Sequence, residues 1–217
     1  MRLLITTGGT REYIDPVRFI TNASSGRMGY ALTRAAVKAG HKVTLISASD
    51  LQPPVGVEFV GVDSAAEMFG AVKKHFPRCD CLIMAAAVAD FTPDKQAKFK
   101  IKKTDKSLTI KLKPTADILK WAGKHKKTRR QKIEHRKQRT QIVVGFALED
   151  KNLREQAEKK LKEKNLDMII ANTPAAIGSD KSSVQIRIAG GKWLKIPQSS
   201  KTAIAIRVIA TIEKIIP

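Results

Sequence analysis

A chain of 217 residues, 42% of them hydrophobic, predicts one globular domain over residues 1–217 with a well-buried core. No apolar run reaches the roughly 20 residues that a membrane helix needs, and no basic-then-apolar leader opens the chain, which excludes a membrane partner and predicts a cytoplasmic protein. The formal net charge of +21 attracts polyanions and anionic metabolites, so a basic nucleic-acid-binding module stands as one candidate function.

Strand and helix patterns alternate along most of the chain. Apolar runs typical of buried strands are Leu3–Thr6, Lys42–Ile46, Val57–Val62, Cys81–Ala85, Ile142–Phe146 and Met168–Ala171. Helical spacing of apolar residues is found in Gly26–Ala39, Ser64–His75, Leu153–Lys164 and Lys201–Ile215. This alternation predicts an α/β fold, with a Rossmann-like, mostly parallel sheet and helices on both of its faces. Ligands of such sheets bind at the carboxyl ends of the strands.

Two segments depart from this alternation. Phe99–Lys102 and Ser107–Leu112 alternate apolar and polar residues, and they predict a projecting β-hairpin arm at about residues 94–113. Val184–Ile188 and Lys192–Ile196 predict a second hairpin around a glycine pair. Because the apolar side chains of a projecting arm need a partner, and exposed strand edges invite pairing, we expect a homodimer.

The cysteines and the clustered basic residues carry less specific signals. Cys79 and Cys81 are the only cysteines, and on a strand their spacing would place both on one face. We expect buried, reduced thiols and no metal held by a cluster of side chains. Residues at about 120–139 form a basic insertion in which Glu134 is the only acidic residue. We interpret this insertion as a solvated helix or loop in preference to a dedicated nucleic-acid surface.

The most informative segment is Asp15–Gly29, which reads D-P-V-R-F-I-T-N-A-S-S-G-R-M-G and precedes a helix pattern. A glycine turn, a polar loop and a helix N-terminus are typical of an anion site, because free N–H groups and the helix dipole converge there. We expect Ser24 or Ser25 to cap the helix. The predicted anion-binding residues are Gly8, Gly9, Asn22, Ser24, Ser25 and Gly26. The connection is too long for a G-x-G-x-x-G directly after the strand, which argues against the alternative of an NAD(P)-binding oxidoreductase.

Several motifs occur in a defined order over nearly the whole chain. They are Thr10–Gly29, Ala85–Phe91 (A-A-A-V-A-D-F), Lys100–Lys103 (K-I-K-K), Val144–Glu149 (V-G-F-A-L-E) and Lys164–Asn172 (K-N-L-D-M-I-I-A-N). Together they resemble the phosphopantothenate–cysteine ligase family, also called phosphopantothenoylcysteine synthetases. In many bacteria this domain follows a flavin-dependent decarboxylase. The chain resembles the free-standing form, which implies no bound flavin and makes a separate decarboxylase a candidate partner.

The resemblance implies a two-step reaction. First, 4′-phosphopantothenate reacts with a nucleoside triphosphate to give an acyl-nucleotide and pyrophosphate. The nucleotide is CTP in bacterial members, with ATP as the alternative, and it carries Mg²⁺. The amine of cysteine then attacks the acyl-nucleotide to give an intermediate of coenzyme A biosynthesis. Such a reaction has no need of a protein nucleophile, but it requires two anions held together and an oxyanion stabilised in each acyl transfer.

The resemblance also assigns roles to individual residues. Asn22 would donate its amide to the acyl-nucleotide, and Lys100 would neutralise the triphosphate as pyrophosphate leaves. If Lys100 lies on a strand, Lys102 shares its face while Lys103 points away. The implied nucleotide-binding residues are Met84, Ala85, Ala86, Asp90, Lys100, Ala116, Asp117, Ile118, Leu119, Phe146, Lys160 and Lys164.

Each of these residues also has a structural interpretation. Asn22 could form a turn beside a helix cap, Asp117 could be a helix N-terminal acid, and Phe146 could be a core aromatic that never stacks on a base. Lys160 and Lys164 lie four residues apart on a predicted helix and could form a solvated face. The family usually shows N-P-D-I where this chain has Thr115-Ala116-Asp117-Ile118, which departs from the family pattern at its first two positions.

Overall fold

The computed structural model describes residues 1–127 and 140–216. Its helices are α1 (Arg27–Lys38), α2 (Ala65–His75), α3 (Ile118–His125), α4 (Leu153–Glu163) and α5 (Lys201–Ile215). Its strands are β1 (Arg2–Gly8), β2 (Arg11–Tyr13), β3 (Phe19–Thr21), β4 (Lys42–Ala48), β5 (Glu58–Gly61), β6 (Cys81–Met84), β7 (Phe91–Pro93), β8 (Leu112–Pro114), β9 (Ile142–Leu148), β10 (Met168–Asn172), β11 (Lys181–Ile188) and β12 (Trp193–Ser200).

An eight-stranded sheet in the order β12-β11-β10-β9-β6-β1-β4-β5 forms the centre of the molecule. Neighbouring strands from β10 to β5 are parallel, whereas β11 and β12 add an antiparallel hairpin at one edge. The predicted Rossmann-like, mostly parallel sheet is confirmed. The chain runs outward from β1 to β4 and β5 and returns to β6 on the other side of β1. The switch point of the sheet, where ligands of such folds bind, therefore lies between β1 and β6.

Two apolar cores cover the two faces of this sheet. On one face α1 and α5 pack with residues such as Ile5, Leu32 and Val208. On the other face α2, α3 and α4 pack with residues such as Leu82 and Val72. Each fully buried aliphatic side chain contributes about 1.5–3 kcal/mol to folding, so these cores supply most of the favourable free energy. No helix in the described parts of the chain is long and apolar enough to span a bilayer.

Polar residues define where α2 begins and attach it to the β2–β3 ribbon. Ser64 accepts a hydrogen bond from the Glu67 backbone N–H at 3.2 Å, and the Glu67 carboxylate accepts one at 2.8 Å from the N–H of Asp63, the residue before the N-cap, in a variant of the capping box. The buried Glu12 carboxylate of β2 accepts a further bond from Ala65 N–H at 2.9 Å. The ribbon that precedes α1 is thereby fixed to the first turn of α2.

Several sequence-based predictions fail in the connections. The long polar loop after β1 contains the β2–β3 ribbon, whose strands are too short to carry a periodic signal. The strands predicted at Phe99–Lys102 and Ser107–Leu112 do not form, and the arm is instead closed at its base by β7 and β8. An isolated two-stranded hairpin is marginal in water, so alternation alone cannot maintain strands in this lysine-rich arm.

Two further predictions are corrected or fall outside the described residues. Cys79 directly follows a short 3-10 helix (Phe76–Arg78) and packs in the α2 core, whereas Cys81 is in β6 and faces the α1 core, so they do not share a face. Both thiols are buried and free, and burial raises the pKa of Cys79 to about 12. The predicted basic insertion at 120–139 begins inside α3, and residues 128–139 lie outside the described part of the chain.

The packing of α1 against β1 makes Gly29→Ala a destabilising change. A Cβ atom at Gly29 would lie 2.2 Å from Thr7 Oγ1 and 2.3 Å from Thr7 Cβ. We expect a loss of about 1–3 kcal/mol, a typical cost of overpacking, measured by thermal unfolding. Gly70→Ala in α2 is the matched control, because its Cβ would meet nothing within 4 Å. That variant should be stabilised by about 0.5–1 kcal/mol through helix propensity. Equal changes in the unfolding temperature of the two variants would contradict the close approach of α1 to β1.

Candidate active site

The loops that follow β1 and β6 run side by side at the switch point. Ala87 N–H donates to Gly8 O at 2.8 Å, and Thr10 N–H donates to Ala87 O at 3.3 Å. Ala89 N–H then donates to the Thr10 hydroxyl at 2.9 Å. The carboxyl ends of the two strands therefore continue as one hydrogen-bonded floor, on which the neighbouring side chains of the site are placed.

Asn22 lies on this floor, directly after β3. Its Nδ2 donates to Ala87 O and to Val88 O, at 3.2 Å each. The backbone of Gly9 also lies close to that of Asn22, since a Cβ atom on Gly9 would be 2.7 Å from Asn22 O. The amide predicted to contact the acyl-nucleotide thus also joins the two loops. A ligand oxygen that accepts a hydrogen bond from Nδ2 would replace one of these carbonyls.

The N-terminus of α1 faces the same switch point and is capped differently from the prediction. Gly26, with φ of 75°, occupies the N-cap position, and among the described residues no side chain caps the helix. Ser24 Oγ accepts only a long 3.5 Å bond from Gly26 N–H, so capping by Ser24 or Ser25 is wrong. The Thr7 hydroxyl donates to Gly26 O at 2.7 Å and attaches the helix start to β1. The first-turn N–H groups, uncapped by side chains, suit an anion.

A second cluster lies on the α3–α4 side of the switch point. Lys160 Nζ donates to Phe146 O at 2.9 Å, and Lys164 Nζ pairs with Asp117 Oδ2 at 2.8 Å. Asp117 is the N-cap of α3 and accepts from Lys120 N–H at 2.9 Å. The predicted start of a helix at Asp117 is confirmed, and its carboxylate is both a cap and the ion-pair partner of Lys164.

Lys160 is the lysine of this cluster whose protonated form is disfavoured by its surroundings. Burial lowers the pKa of Lys160, and the neighbouring Lys164 lowers it further, against the opposing effect of the carboxylates around it. Those carboxylates belong to Glu149, Asp117 and Asp90. Asp117 differs: burial alone would raise its pKa, but Lys164 and the helix N–H outweigh burial and lower it. The cluster therefore presents a partly buried lysine within electrostatic reach of Asp90, a predicted nucleotide contact.

The other predicted contacts are distributed around these two clusters. Met84 ends β6, and the following Ala85 and Ala86 donate their N–H groups to Thr6 O at 3.1 Å and Thr6 Oγ1 at 3.3 Å. Phe146 is half-buried and packs on the α1 side of the sheet, opposite to Lys160. Lys100 lies exposed on the arm, outside any strand. The prediction that Lys100 and Lys102 share a strand face is therefore wrong.

Sequence interpretation assigned no role to Asp15. This aspartate is completely buried, although it belongs to a surface loop. Its Oδ1 accepts the N–H groups of Val17 and Arg18 at 2.8 Å each, and its Oδ2 pairs with the Arg18 guanidinium at 2.7 Å. The D-P-V-R sequence carries a local signal for this arrangement, because an aspartate before proline commonly accepts backbone N–H groups two and three residues on.

The doubly wound sheet, with an uncapped helix N-terminus and partly buried lysines near its switch point, defines an α/β protein whose candidate site suits an anionic ligand. The chain belongs to the family described as "DNA/pantothenate metabolism flavoprotein C-terminal domain", which matches residues 1–216. This result confirms the resemblance that the motifs from Thr10 to Asn172 carry.

Named relatives agree with this family. The chain is 44% identical over 216 residues to the coenzyme A biosynthesis bifunctional protein CoaBC of Bacillus subtilis, covering 97% of this chain and 50% of that protein. It therefore spans about half the length of that relative. The solved C-terminal domain of a CoaBC protein superimposes with a TM-score of 0.81 at 38% identity, covering 98% and 94% of the two chains. The DNA/pantothenate metabolism flavoprotein from Streptococcus pneumoniae also gives a TM-score of 0.81, at 26% identity and 99% coverage of each chain.

Proposed function

We propose that this chain joins 4′-phosphopantothenate to cysteine through an acyl-nucleotide, as a ligase of coenzyme A biosynthesis. The observation that carries the proposal is the contact of Asn22 with the Ala87–Val88 backbone at the switch point, which lies between two separate positions that suit anions. One position is the N-terminus of α1, and the other is the Lys160–Lys164 cluster. Two anions held at one junction are what formation of an acyl-nucleotide requires.

The geometry supports a mechanism of positioning and charge stabilisation. The α1 N-terminus would bind one phosphate through backbone N–H groups, while Lys160 and Lys164 would bind the triphosphate. Lys100 would approach from the arm and neutralise charge as pyrophosphate leaves. A donor aimed at developing negative charge contributes about 3–4 kcal/mol to such a step. The amine of cysteine supplies the second nucleophile, so the protein needs no nucleophile of its own.

We propose CTP as the nucleotide, with Mg²⁺ bound to its phosphates. The small side chains of Ala85 and Ala86 leave space beside β6 for a ribose or a base, and Phe146 at the end of β9 is the candidate stacking residue. Within residues 1–127 and 140–216, no group of three His, Cys, Asp or Glu side chains could hold a metal ion. Mg²⁺ commonly binds through substrate phosphates with one or two carboxylates, so we propose triphosphate oxygens as its main ligands in this site.

Pyrophosphate release tests this function directly. The protein is incubated with 4′-phosphopantothenate and Mg²⁺, and pyrophosphate is measured with CTP, with ATP and without nucleotide. We expect release with CTP before cysteine is added, and the ligated product after its addition. Release with ATP alone would change the nucleotide assignment, and no release with either nucleotide would overturn the proposed function.

We further propose that the protein is a homodimer that pairs through the arm and its base. Phe99 is 83% exposed, and Phe91, Leu108 and Leu112 are also exposed although apolar. Such a patch is typical of a protein–protein contact. Sedimentation at micromolar concentration should give twice the 23.9 kDa mass of the chain. Phe99→Ser should shift the protein toward monomer, whereas a wild-type protein that sediments only as a monomer would contradict the dimer.

The lowered pKa of the partly buried Lys160 predicts a pH dependence of nucleotide binding. Its lowered pKa means that the ammonium loses its proton below the ordinary value of 10.5, and only the protonated form attracts a triphosphate. CTP affinity should therefore fall as the pH rises through the pKa of Lys160 in the free protein, and binding there should take up a proton. Calorimetry in buffers of different ionisation enthalpy measures this uptake. Lys160→Met should remove the effect, whereas Lys159→Met, on the exposed side of α4, should retain it.

A further inference from the structure

The arm that carries Lys100 is attached to the loop between β2 and β3 by a backbone hydrogen bond from Ala97 N–H to Ile14 O at 2.9 Å and by a set of bonds around Ile101. Ile101 N–H donates to Asp15 Oδ2 at 3.1 Å, and Arg18 Nη1 donates to Ile101 O at 3.2 Å. The same Arg18 nitrogen donates to Asp15 Oδ2 at 2.7 Å. Both main-chain polar groups of Ile101 are thus bound by one acid–base pair, 83–86 residues away in sequence.

Asp15 is suited to hold this arm firmly. Its side chain is 0% exposed, and its two oxygens accept from Val17 N–H, Arg18 N–H and the arm as well as from the guanidinium. Burial by itself would raise the pKa of Asp15, but the backbone N–H groups and Arg18 outweigh burial and lower it. The carboxylate is therefore ionised at neutral pH, and charge-assisted bonds of this kind are stronger than neutral ones.

The same ribbon connects the arm to Asn22. Asp15 and Arg18 stand in the turn between β2 and β3, and Asn22 directly follows β3. Glu12 of β2 fixes the ribbon to α2 through Ala65 N–H at 2.9 Å. The β2–β3 ribbon, fixed to α2, therefore connects Asn22 at the switch point to Ile101, the residue next to Lys100.

We propose that Asp15, braced by Arg18, is a positioning residue that sets the location of Lys100 relative to Asn22 by holding the backbone of Ile101. This inference rests on the proposed function and assigns to Asp15 no contact with substrate. A charged group misplaced by about 1 Å can cost on the order of a hundredfold in rate, which is the scale of effect expected when the arm is released.

The first test is the substitution Asp15→Asn. The amide oxygen of the new side chain can still accept from Val17 and Arg18, but its NH₂ group, in place of Oδ2, would face the Ile101 N–H and the guanidinium as donor against donor. We expect kcat for pyrophosphate release to fall roughly 10- to 100-fold. Glu12→Gln is the matched control, since it neutralises a buried carboxylate of the same ribbon that contacts α2 and not the arm, while its amide oxygen can still accept from Ala65 N–H and keep the ribbon attached. It should keep near-normal kcat.

A double-mutant cycle separates positioning from general damage. If Asp15 acts through Lys100, Asp15→Asn should cost less than about threefold in the Lys100→Gln background, because residues that act as a unit are not additive. If the losses of kcat from the two substitutions multiply in the double variant, Asp15 does not act through Lys100. That result would overturn the positioning role while leaving the ligase function intact. Absence of pyrophosphate release in the wild-type protein would instead overturn the proposed function.

Amide hydrogen exchange gives a readout that does not depend on activity. The Ile101 amide should exchange faster in the Asp15→Asn protein. Unchanged exchange at Ile101 would overturn the proposal that Asp15 holds the backbone of this residue. Ile101→Pro removes the backbone N–H that donates to Asp15 and leaves the buried carboxylate in place. It replaces Asp15→Asn as the test variant if the Asp15→Asn protein does not unfold cooperatively. Ile101→Pro should reproduce the loss of kcat, and near-normal kcat in that variant would overturn the proposal.

Discussion

Lys100→Gln should lower nucleotide-dependent pyrophosphate release by roughly 10²–10³, the cost of losing one donor aimed at developing charge. The variant removes an ammonium and keeps most of the side-chain length. Because Lys100 is exposed on the arm, its substitution should leave thermal unfolding unchanged. The loss should appear mainly in kcat, since the lysine is proposed to act as pyrophosphate leaves.

Lys106→Gln is the control for bulk charge. Lys106 is also exposed on the arm, at the bend near its tip, and lies outside the K-I-K-K motif. With a net charge of +21, the loss of one exposed charge should alter the rate only slightly. Equal losses in the two variants would mean that the field of the arm matters, and that no particular ammonium is placed on the triphosphate.

Asn22→Asp should lower turnover about a hundredfold and also destabilise the fold. A carboxylate at this position would direct acceptor oxygens at Ala87 O and Val88 O, and it would repel the anions that the site is proposed to bind. Loss of the hydrogen bonds should cost about 1–3 kcal/mol of unfolding free energy. Turnover under saturating substrate and thermal unfolding measure the two effects separately.

Gln141→Glu provides a matched control for Asn22→Asp. Gln141 Nε2 also donates to two backbone carbonyls, Phe76 O at 2.7 Å and Cys79 O at 3.0 Å, but at the amino end of β9. This variant should lose stability while its folded fraction keeps normal turnover. A folded Asn22→Asp protein with near-normal turnover would remove Asn22 from the active site.

Periodic segments of the sequence predicted the framework well, because their signal comes from burial on a repeating face. The helix at Lys201–Ile215 has the predicted bounds, and β1, β4 and β9 extend one or two residues beyond their predicted ends. These elements lie in the two apolar cores, where the sequence period and the packing agree.

The connections could not be predicted in the same way, because tertiary contacts decide them. The arm alternates like a hairpin but is held as an irregular segment by Asp15 and Arg18. The cap of α1 depends on the left-handed backbone of Gly26 and its contact with Thr7, which overrides the preference of serine for the N-cap. The proposed role of Asp15 depends on its contact with Ile101, 86 residues later, and a local pattern carries no such information.

The central position of β1 has a consequence for the order in which the chain folds as it is synthesised. β1 can pair with β4 once about the first quarter of the chain has emerged, but its other neighbour, β6, begins only at Cys81. The bonds from Asn22 to Ala87 and Val88 therefore cannot form until about two fifths of the chain has emerged and β6 docks on β1. A ligand at this junction binds only chains that have completed docking, and at roughly 100 times its Kd it would favour them by about 2.7 kcal/mol. Substrate supply in the cell would then influence how much of the nascent protein reaches its native state.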